Sequence, residues 1–140
     1  MTRTHIVGID PGCDTGLAVW NASTKALTDV RTETIVSAML YVQELHQDGL
    51  LNRVVFEDAR LRTWFGNKGR EALQGAGSIK RDSQVWVEWL TYLGCPYKAV
   101  SPQAKGRKVD AVQFERLTGW TKRTSNHGRD AAMLVLGAKA

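Results

Sequence analysis

The chain has 140 residues, of which 43% are hydrophobic and 24% are charged, and this composition predicts a single globular domain over residues 1–140. No apolar run approaches the roughly 20 residues of a membrane-spanning helix, and the N-terminal residues lack the apolar segment of a secretory signal. The formal net charge of +5 is compatible with a nucleic-acid partner and equally with an ordinary solvated basic surface.

The first part of the chain predicts a β-hairpin and a third strand. The apolar run 6–10 ends in Asp10-Pro11-Gly12, which is typical of a buried strand that leads into a turn. The run 15–20 predicts a second strand that pairs with the first through this turn. A turn-rich stretch follows, and we expect the third strand over residues 26–31.

A helix and a fourth strand come next. Between Glu33 and Asp48, apolar residues recur at spacings of three and four, which predicts a helix that ends at Gly49. Residues 53–58 predict a strand that runs into two acidic residues. The order strand, helix, strand implies a right-handed crossover, so we expect the first and fourth strands to lie side by side and parallel.

The second half of the chain is predicted to be mainly helical. Residues 60–70 have the composition of a basic, aromatic loop, and a long helix is expected from about 71 to 93. The first half of this helix is unusually rich in small residues, namely Ala72, Gly75, Ala76, Gly77 and Ser78. Because a glycine costs a helix about 1 kcal/mol relative to alanine, this half is expected to pack closely against another backbone. A fifth strand and two further helices are expected at residues 97–100, 109–117 and 126–138.

Three carboxylates fall at informative places in these elements. Asp10 ends the first strand, Glu57 ends the fourth strand beside it, and Asp130 lies in the first turns of the last helix. If that helix packs on the sheet, the three can converge on one edge, where they would repel one another without a cation such as Mg2+. Two such ions, about 4 Å apart, activate a water and stabilise the leaving oxygen in phosphodiester hydrolysis. His127, three residues before Asp130, would face the same cleft as a fourth ligand or as a group that positions the water or a proton.

Each of these residues also has an ordinary interpretation. Asp10 before Pro-Gly can be a turn former, Glu57 a solvated acid, and Asp130 a residue that compensates the helix dipole. His127 can be a helix cap or a surface residue. Their joint occurrence in this strand order is what favours a metal-dependent active site.

Four motifs carry a family resemblance: Gly8-Ile9-Asp10-Pro11-Gly12, Thr15-Gly16-Leu17-Ala18, Phe56-Glu57-Asp58 and His127-Gly128-Arg129-Asp130-Ala131-Ala132. In the order and spacing of these motifs, the chain resembles the RuvC-like group of the ribonuclease H superfamily over its whole length. The resemblance implies an α/β, ribonuclease H-like fold with a mixed five-stranded sheet flanked by helices. It implies Asp10, Glu57, Asp130 and His127 as the catalytic and metal-binding set, with two Mg2+ ions that Mn2+ can replace.

The resemblance also implies a function in DNA recombination and repair. Members of the family are homodimers that resolve four-way (Holliday) junctions by paired symmetric nicks, leaving 5′-phosphate and 3′-hydroxyl ends. The chain is short for a cellular member, which favours a phage or prophage version. The alternatives are a ribonuclease H-fold nuclease for structured RNA of the pre-16S ribosomal type, a non-catalytic branched-DNA-binding protein, and a nucleotide-binding actin-like or sugar-kinase-like protein, which would need a second domain.

The basic residues are concentrated in two blocks. Residues 1–59 carry four basic and eight acidic side chains, residues 60–81 six basic and one acidic, and residues 98–129 eight basic and two acidic. This distribution favours a polyanionic partner. The predicted DNA-binding residues are Arg60, Arg62, Trp64, Phe65, Lys68, Arg70, Lys80, Arg81, Lys105, Arg107 and Lys108, with Lys122, Arg123 and Arg129 as a further extension.

Two parts of this surface have more specific interpretations. Family members carry an aromatic that stacks on DNA soon after the catalytic glutamate, whereas here Trp64 and Phe65 come later and would stack from a longer loop or else anchor it to the body. Lys105 and Lys108 match a lysine pair that contacts phosphate in the family.

The long helix is the predicted homodimer interface. The candidates for contact with a second copy are the stretch from Ala72 to Ser78, which is rich in small residues, and Trp86 and Trp89 further on. Such a contact would hold two active sites in register. The tryptophans would otherwise belong to the monomer core.

The two cysteines indicate a cytoplasmic protein. Cys13 and Cys95 have neither a disulfide framework nor a zinc-binding spacing, so we expect both to be reduced thiols.

Overall fold

The computed structural model describes residues 3–61, 70–101 and 108–140, with the backbone alone at residue 59 and residues 70–79. Within these ranges the chain forms one mixed sheet and four α-helices, in the predicted order. The strands are β1 His5–Asp10, β2 Thr15–Asn21, β3 Ala26–Glu33, β4 Leu51–Glu57 and β5 Tyr97–Val100. The helices are α1 Ile35–Gln47, α2 Arg70–Leu93, α3 Ala111–Thr118 and α4 Asn126–Met133, and Ala59–Leu61 form a single 3-10 turn.

The sheet has the strand order β3-β2-β1-β4-β5. β1 pairs antiparallel with β2 and β2 with β3, while β1–β4 and β4–β5 are parallel. The prediction that the first and fourth strands lie side by side and parallel is therefore confirmed. In this register Ile9 lies opposite Phe56, so Asp10 and Glu57 are the next residues on two adjacent strands.

One face of the sheet is covered by α1 and α2. Alternate side chains of β1, β2 and β4 point to this face, as the two-residue period of a strand requires. Trp86 of α2 is fully buried here, so it belongs to the monomer core and is not available to the predicted dimer interface. The buried residues of this layer include Val7, Ile9, Leu17, Val19, Val54 and Phe56 from the sheet and Ala38, Val42, Trp86 and Leu90 from the helices.

The opposite face is covered by α4, which lies directly on the backbone of β1 and β2. A Cβ atom on Gly16 would lie 1.9 Å from the carbonyl oxygen of His127, and one on Gly8 would lie 2.1 Å from that of Ala131. Only glycine permits this approach at either position. Because Gly16 pairs with Asp10, α4 runs antiparallel to β1 with its first turn over the carboxyl end of that strand.

The last helix is shorter than predicted, since it ends at Met133 and not at residue 138. After Met133 the chain tightens into turns: Val135 N–H donates to the carbonyl of Ala132 at 3.1 Å. This change of direction buries Val135 against Ile6 and Val55 of the sheet. Tertiary packing, which the helical pattern did not reveal, decides where α4 stops.

Both cysteines are free thiols, as predicted. Cys13 is exposed and Cys95 is buried, and burial raises the pKa of Cys95 to about 11, so its thiolate is disfavoured at neutral pH. In the described part of the chain, no helix combines the length and apolar character needed to cross a bilayer.

Candidate active site

Asp10 lies at the carboxyl end of β1 and is nearly buried, with 9% of its surface exposed. The turn after it is held by Thr15, whose Oγ1 donates to the carbonyl of Gly12 at 2.7 Å. Val7 and Ile9 point to the face covered by α1 and α2, so the strand alternation places Asp10 on the opposite face, under α4. The fold therefore presents this carboxylate to α4, which carries His127 and Asp130.

His127 contacts Asp10, although the two residues are 117 positions apart in sequence. Its Nδ1 lies 3.2 Å from Asp10 Oδ2. The first turn of α4 is fixed by its N-cap, since Ser125 Oγ accepts from Gly128 N–H at 3.0 Å. It is fixed again by the close approach of the His127 carbonyl to Gly16. The imidazole is about half exposed, so it remains open to a ligand or substrate.

Asp130 lies one helical turn after His127 and is also 9% exposed. The ammonium group of Lys108, whose side chain is 76% exposed, lies 3.6 Å from Asp130 Oδ2. The fold thus places Lys108, a predicted DNA-binding residue, next to Asp130, a predicted catalytic residue. An ion pair with one partner this exposed is weak, so it leaves the lysine able to move toward another anion.

Glu57 is the last residue of β4 and is half-buried. Val54 and Phe56 point to the α1 and α2 face, whereas Val55 packs on the other side with Val135. Alternation therefore places Glu57 on the same face as Asp10, one strand away, at the same edge of the sheet.

Asp10 is thus in contact with His127, Glu57 ends the adjacent strand on the same face of the sheet, and Asp130 follows His127 by one turn of α4. Their three carboxylates and one imidazole are a donor set that suits a hard divalent cation such as Mg2+. As the side chains stand, no group of three His, Cys, Asp or Glu residues within the described ranges has the geometry of an assembled metal site. The acids fit a cation by chemistry and by placement on the backbone, and they do not form a closed cage.

Arg60, a predicted DNA contact, is engaged with the carboxylate next to the site. Its Nε and Nη2 donate to the two carboxylate oxygens of Asp58 at 3.0 and 2.7 Å, and its Nη1 donates to Gln84 of α2. Burial opposes ionisation of Asp58, but the hydrogen bonds from Arg60 outweigh it and hold the pKa of Asp58 below its usual value. Any phosphate contact by Arg60 has to compete with this pair.

The interaction of Asp58 was not predicted from the sequence. A D-x-R spacing after a strand is the local signal that could have indicated it, but the contact to α2 is not visible in the sequence.

The remaining predicted DNA-binding residues are described in part. Arg81 is exposed on α2, and Lys80 beside it is half-buried. Arg129 is buried and bonded within the protein, so its assignment to the DNA-binding surface was wrong. The predictions that fall outside the described residues are those for Arg62, Trp64, Phe65, Lys68, Lys105, Arg107 and the side chain of Arg70.

Comparison with known proteins gives matches among solved structures. No family model matches the chain, and no curated protein matches it. Among solved structures, the chain is similar to T. thermophilus RuvC in complex with Holliday junction substrate, with a TM-score of 0.61 and 18% sequence identity over 96% of this chain and 91% of that one. At this identity the similarity shows the fold, and the predicted ribonuclease H-like architecture is confirmed.

Proposed function

We propose that the protein is a divalent-metal-dependent endonuclease that cuts four-way junctions or other branched DNA. The observation that carries the proposal is the contact between His127 Nδ1 and Asp10 Oδ2 at 3.2 Å, at the edge where Glu57 also ends its strand. These residues are far apart in sequence, and the fold brings them together. Their fold is shared with a protein whose structure was solved with a Holliday junction.

Asp10, Glu57 and Asp130 would hold two Mg2+ ions, which Mn2+ can replace, with His127 as a further ligand or as the group that positions the attacking water. When bound, such ions lower the pKa of water and stabilise charge on the leaving oxygen. Strand ends carry the first two carboxylates and a helix turn carries the third, and their side chains would have to close around the cation. Attack of water on phosphorus, with cleavage of the bond to the 3′ oxygen, would leave 5′-phosphate and 3′-hydroxyl ends.

Among the basic residues that the structure describes, Lys108 is well placed to act on the substrate at this site. Its ammonium group lies 3.6 Å from Asp130 and is largely exposed, so it can reach a phosphate that enters the cleft. A cation there neutralises the substrate backbone beside the acids and orients it. Arg81 and the basic residues of the loops would extend the contact along the DNA.

Paired nicks require two active sites, so we propose a homodimer. On α2, Tyr92 is 82% exposed and stacks on Trp89 with ring centroids 6.0 Å apart. Val85 lies on the same side of the helix, one turn before Trp89, and is also exposed. This α2 face is the proposed contact surface, and sedimentation at micromolar concentration, with and without junction DNA, tests it: a monomer in both conditions would rule the dimer out.

The test of the proposed activity is incubation of the protein with synthetic four-way, Y-shaped and linear duplex DNA and with structured RNA, each with Mg2+ or with EDTA. We expect cleavage of branched DNA in Mg2+ and none in EDTA. Cleavage of RNA alone would favour the pre-16S type of nuclease, and binding to junctions without cleavage in any divalent ion would favour a non-catalytic DNA-binding protein.

A further inference from the structure

Arg129 is a buried arginine in the residue position directly before Asp130, with only 7% of its surface exposed. Its guanidinium donates to uncharged acceptors: Nε to the carbonyl of Val109 at 3.2 Å, and Nη1 to the carbonyl and Oγ1 of Thr124 at 3.0 and 2.8 Å. Nη2 donates to the side chain of Asn126. A buried charge is expensive unless its donors are satisfied, and here several acceptors satisfy them.

These hydrogen bonds join two segments that are distant in sequence. Thr124 and Asn126 lie at the beginning of α4, whereas Val109 immediately precedes α3 and its N-cap Asp110. Val109 also packs beside the buried Phe114 and the half-buried Trp120. The hydrogen bonds of Arg129 therefore fasten the start of α3 to the start of α4.

The segment fastened in this way carries Lys108. The backbone of Lys108 is one residue from the carbonyl that Arg129 holds, and its ammonium group reaches Asp130 Oδ2 at 3.6 Å. Because the Lys108 side chain is exposed and has four flexible carbons, its own contacts do not fix its position. The backbone attachment point decides where the ammonium group can lie.

We propose that Arg129 is a positioning residue: by holding the Val109 carbonyl, it places Lys108 beside Asp130 at the proposed active site. The inference rests on the proposed function for its catalytic consequence, although the placement itself can be measured without cleavage. Arg129 does not contact DNA in this account, and it acts through Lys108. Lysine cannot replace it, since the planar guanidinium offers five donors in a fixed geometry to acceptors on both segments.

The catalytic consequence is tested with a double-mutant cycle of Arg129→Gln and Lys108→Gln. Single-turnover cleavage is measured at saturating junction DNA and Mg2+. We expect each single variant to lose about 10²-fold in rate, as a misplaced positioning group does, and the double variant to lose little more. Losses that multiply to about 10⁴-fold in the double variant would overturn the proposal, because the two residues would then act independently.

A second measurement does not depend on activity. Amide hydrogen exchange of the peptide over residues 108–114 reports how firmly the start of α3 is held. We expect faster exchange in Arg129→Gln, a smaller increase in Thr124→Val, which removes one acceptor and retains the shape, and no change in Lys108→Gln. Arg116→Gln, at an exposed arginine of α3, is the matched control.

The two measurements separate the inference from the proposed function. If the wild-type protein cleaves no substrate, the proposed function fails, while faster exchange in the first two variants still supports the placement of Lys108 by Arg129. If exchange over residues 108–114 is unchanged in folded Thr124→Val and Arg129→Gln proteins, Arg129 does not hold this segment and the proposal is overturned, whatever the cleavage rates.

Discussion

Asp58 and Glu57 are neighbours in sequence but have different surroundings. Glu57 is half-buried at the end of β4, on the face of the sheet on which α4 packs. Asp58 is 1% exposed and accepts hydrogen bonds from Arg60. Ser83 of α2 also donates to it and contributes to its lowered pKa. Asp58 is therefore a structural carboxylate that ties the end of β4 to α2, and its effect on the proposed site is through the position of Glu57.

Asp58→Asn should destabilise the protein by about 1–3 kcal/mol at pH 7, because the Arg60 guanidinium loses its ionised acceptor. The pKa of Asp58 is lower in the folded than in the unfolded chain, so its stabilisation is present above about pH 4 and is lost as pH falls through the folded pKa. Urea unfolding at pH 7 and pH 3 measures both effects. The difference between variant and wild type should shrink at pH 3, and an equal difference at both values would contradict the assignment; Asp14→Asn, at an exposed aspartate, is the control.

At the same scale, the catalytic candidates could be predicted from the sequence and the arginine partners could not. Asp10 and Glu57 end strands, and strand ends can be read from apolar runs. Arg129 was assigned to the DNA-binding surface because a basic residue in a basic block gives no sign of burial. Its acceptors Val109 and Thr124 belong to segments that only the packing of α3 and α4 brings together.

Among the elements, α4 depends most on exact backbone packing. The helix is eight residues long, too short to be stable by itself, and it is positioned by contact with Gly8 and Gly16. The motifs that contain these glycines were recognised in the sequence, but the reason for the glycines is visible only in the structure. The end of α4 could not be predicted, because burial of Val135 against the sheet stops a helix whose sequence pattern continues.

Gly16→Ala should displace α4, since the new methyl would overlap the carbonyl oxygen of His127 at 1.9 Å. We expect a loss of about 1–3 kcal/mol in the free energy of unfolding, as for overpacked cores, together with loss of the His127–Asp10 contact. Thermal unfolding and the imidazole NMR signals of His127 measure the two effects. Gly49→Ala is the comparison variant, because a Cβ at this position meets nothing within 4 Å and the only cost is that of a left-handed backbone. Unchanged His127 signals in Gly16→Ala would contradict the proposal that contact with Gly16 positions α4.

At the scale of the whole molecule, the strand order brings the two halves of the proposed site together. A crossover through α1 returns β4 beside β1, and the chain then continues through α2, β5 and α3 to α4, which packs on β1, β2 and β3. The parallel placement of β1 beside β4 was predicted from the strand–helix–strand order. Side-chain distances between the carboxylates depend on local geometry and on a cation, and sequence patterns contain neither.

The most direct test of the account is the Asp10→Asn variant, compared with Asp14→Asn in the following turn. The first change removes a carboxylate oxygen from the proposed metal site, and the second makes the same chemical change at an exposed position outside it. Cleavage of a four-way junction in Mg2+ and junction binding in Ca2+ are measured for both. We expect Asp10→Asn to lose at least about 10³-fold in cleavage and to bind the junction nearly as well as the wild type, with Asp14→Asn unaffected. Undiminished cleavage by Asp10→Asn, or cleavage by the wild-type protein in EDTA, would contradict a metal-dependent site at this edge of the sheet.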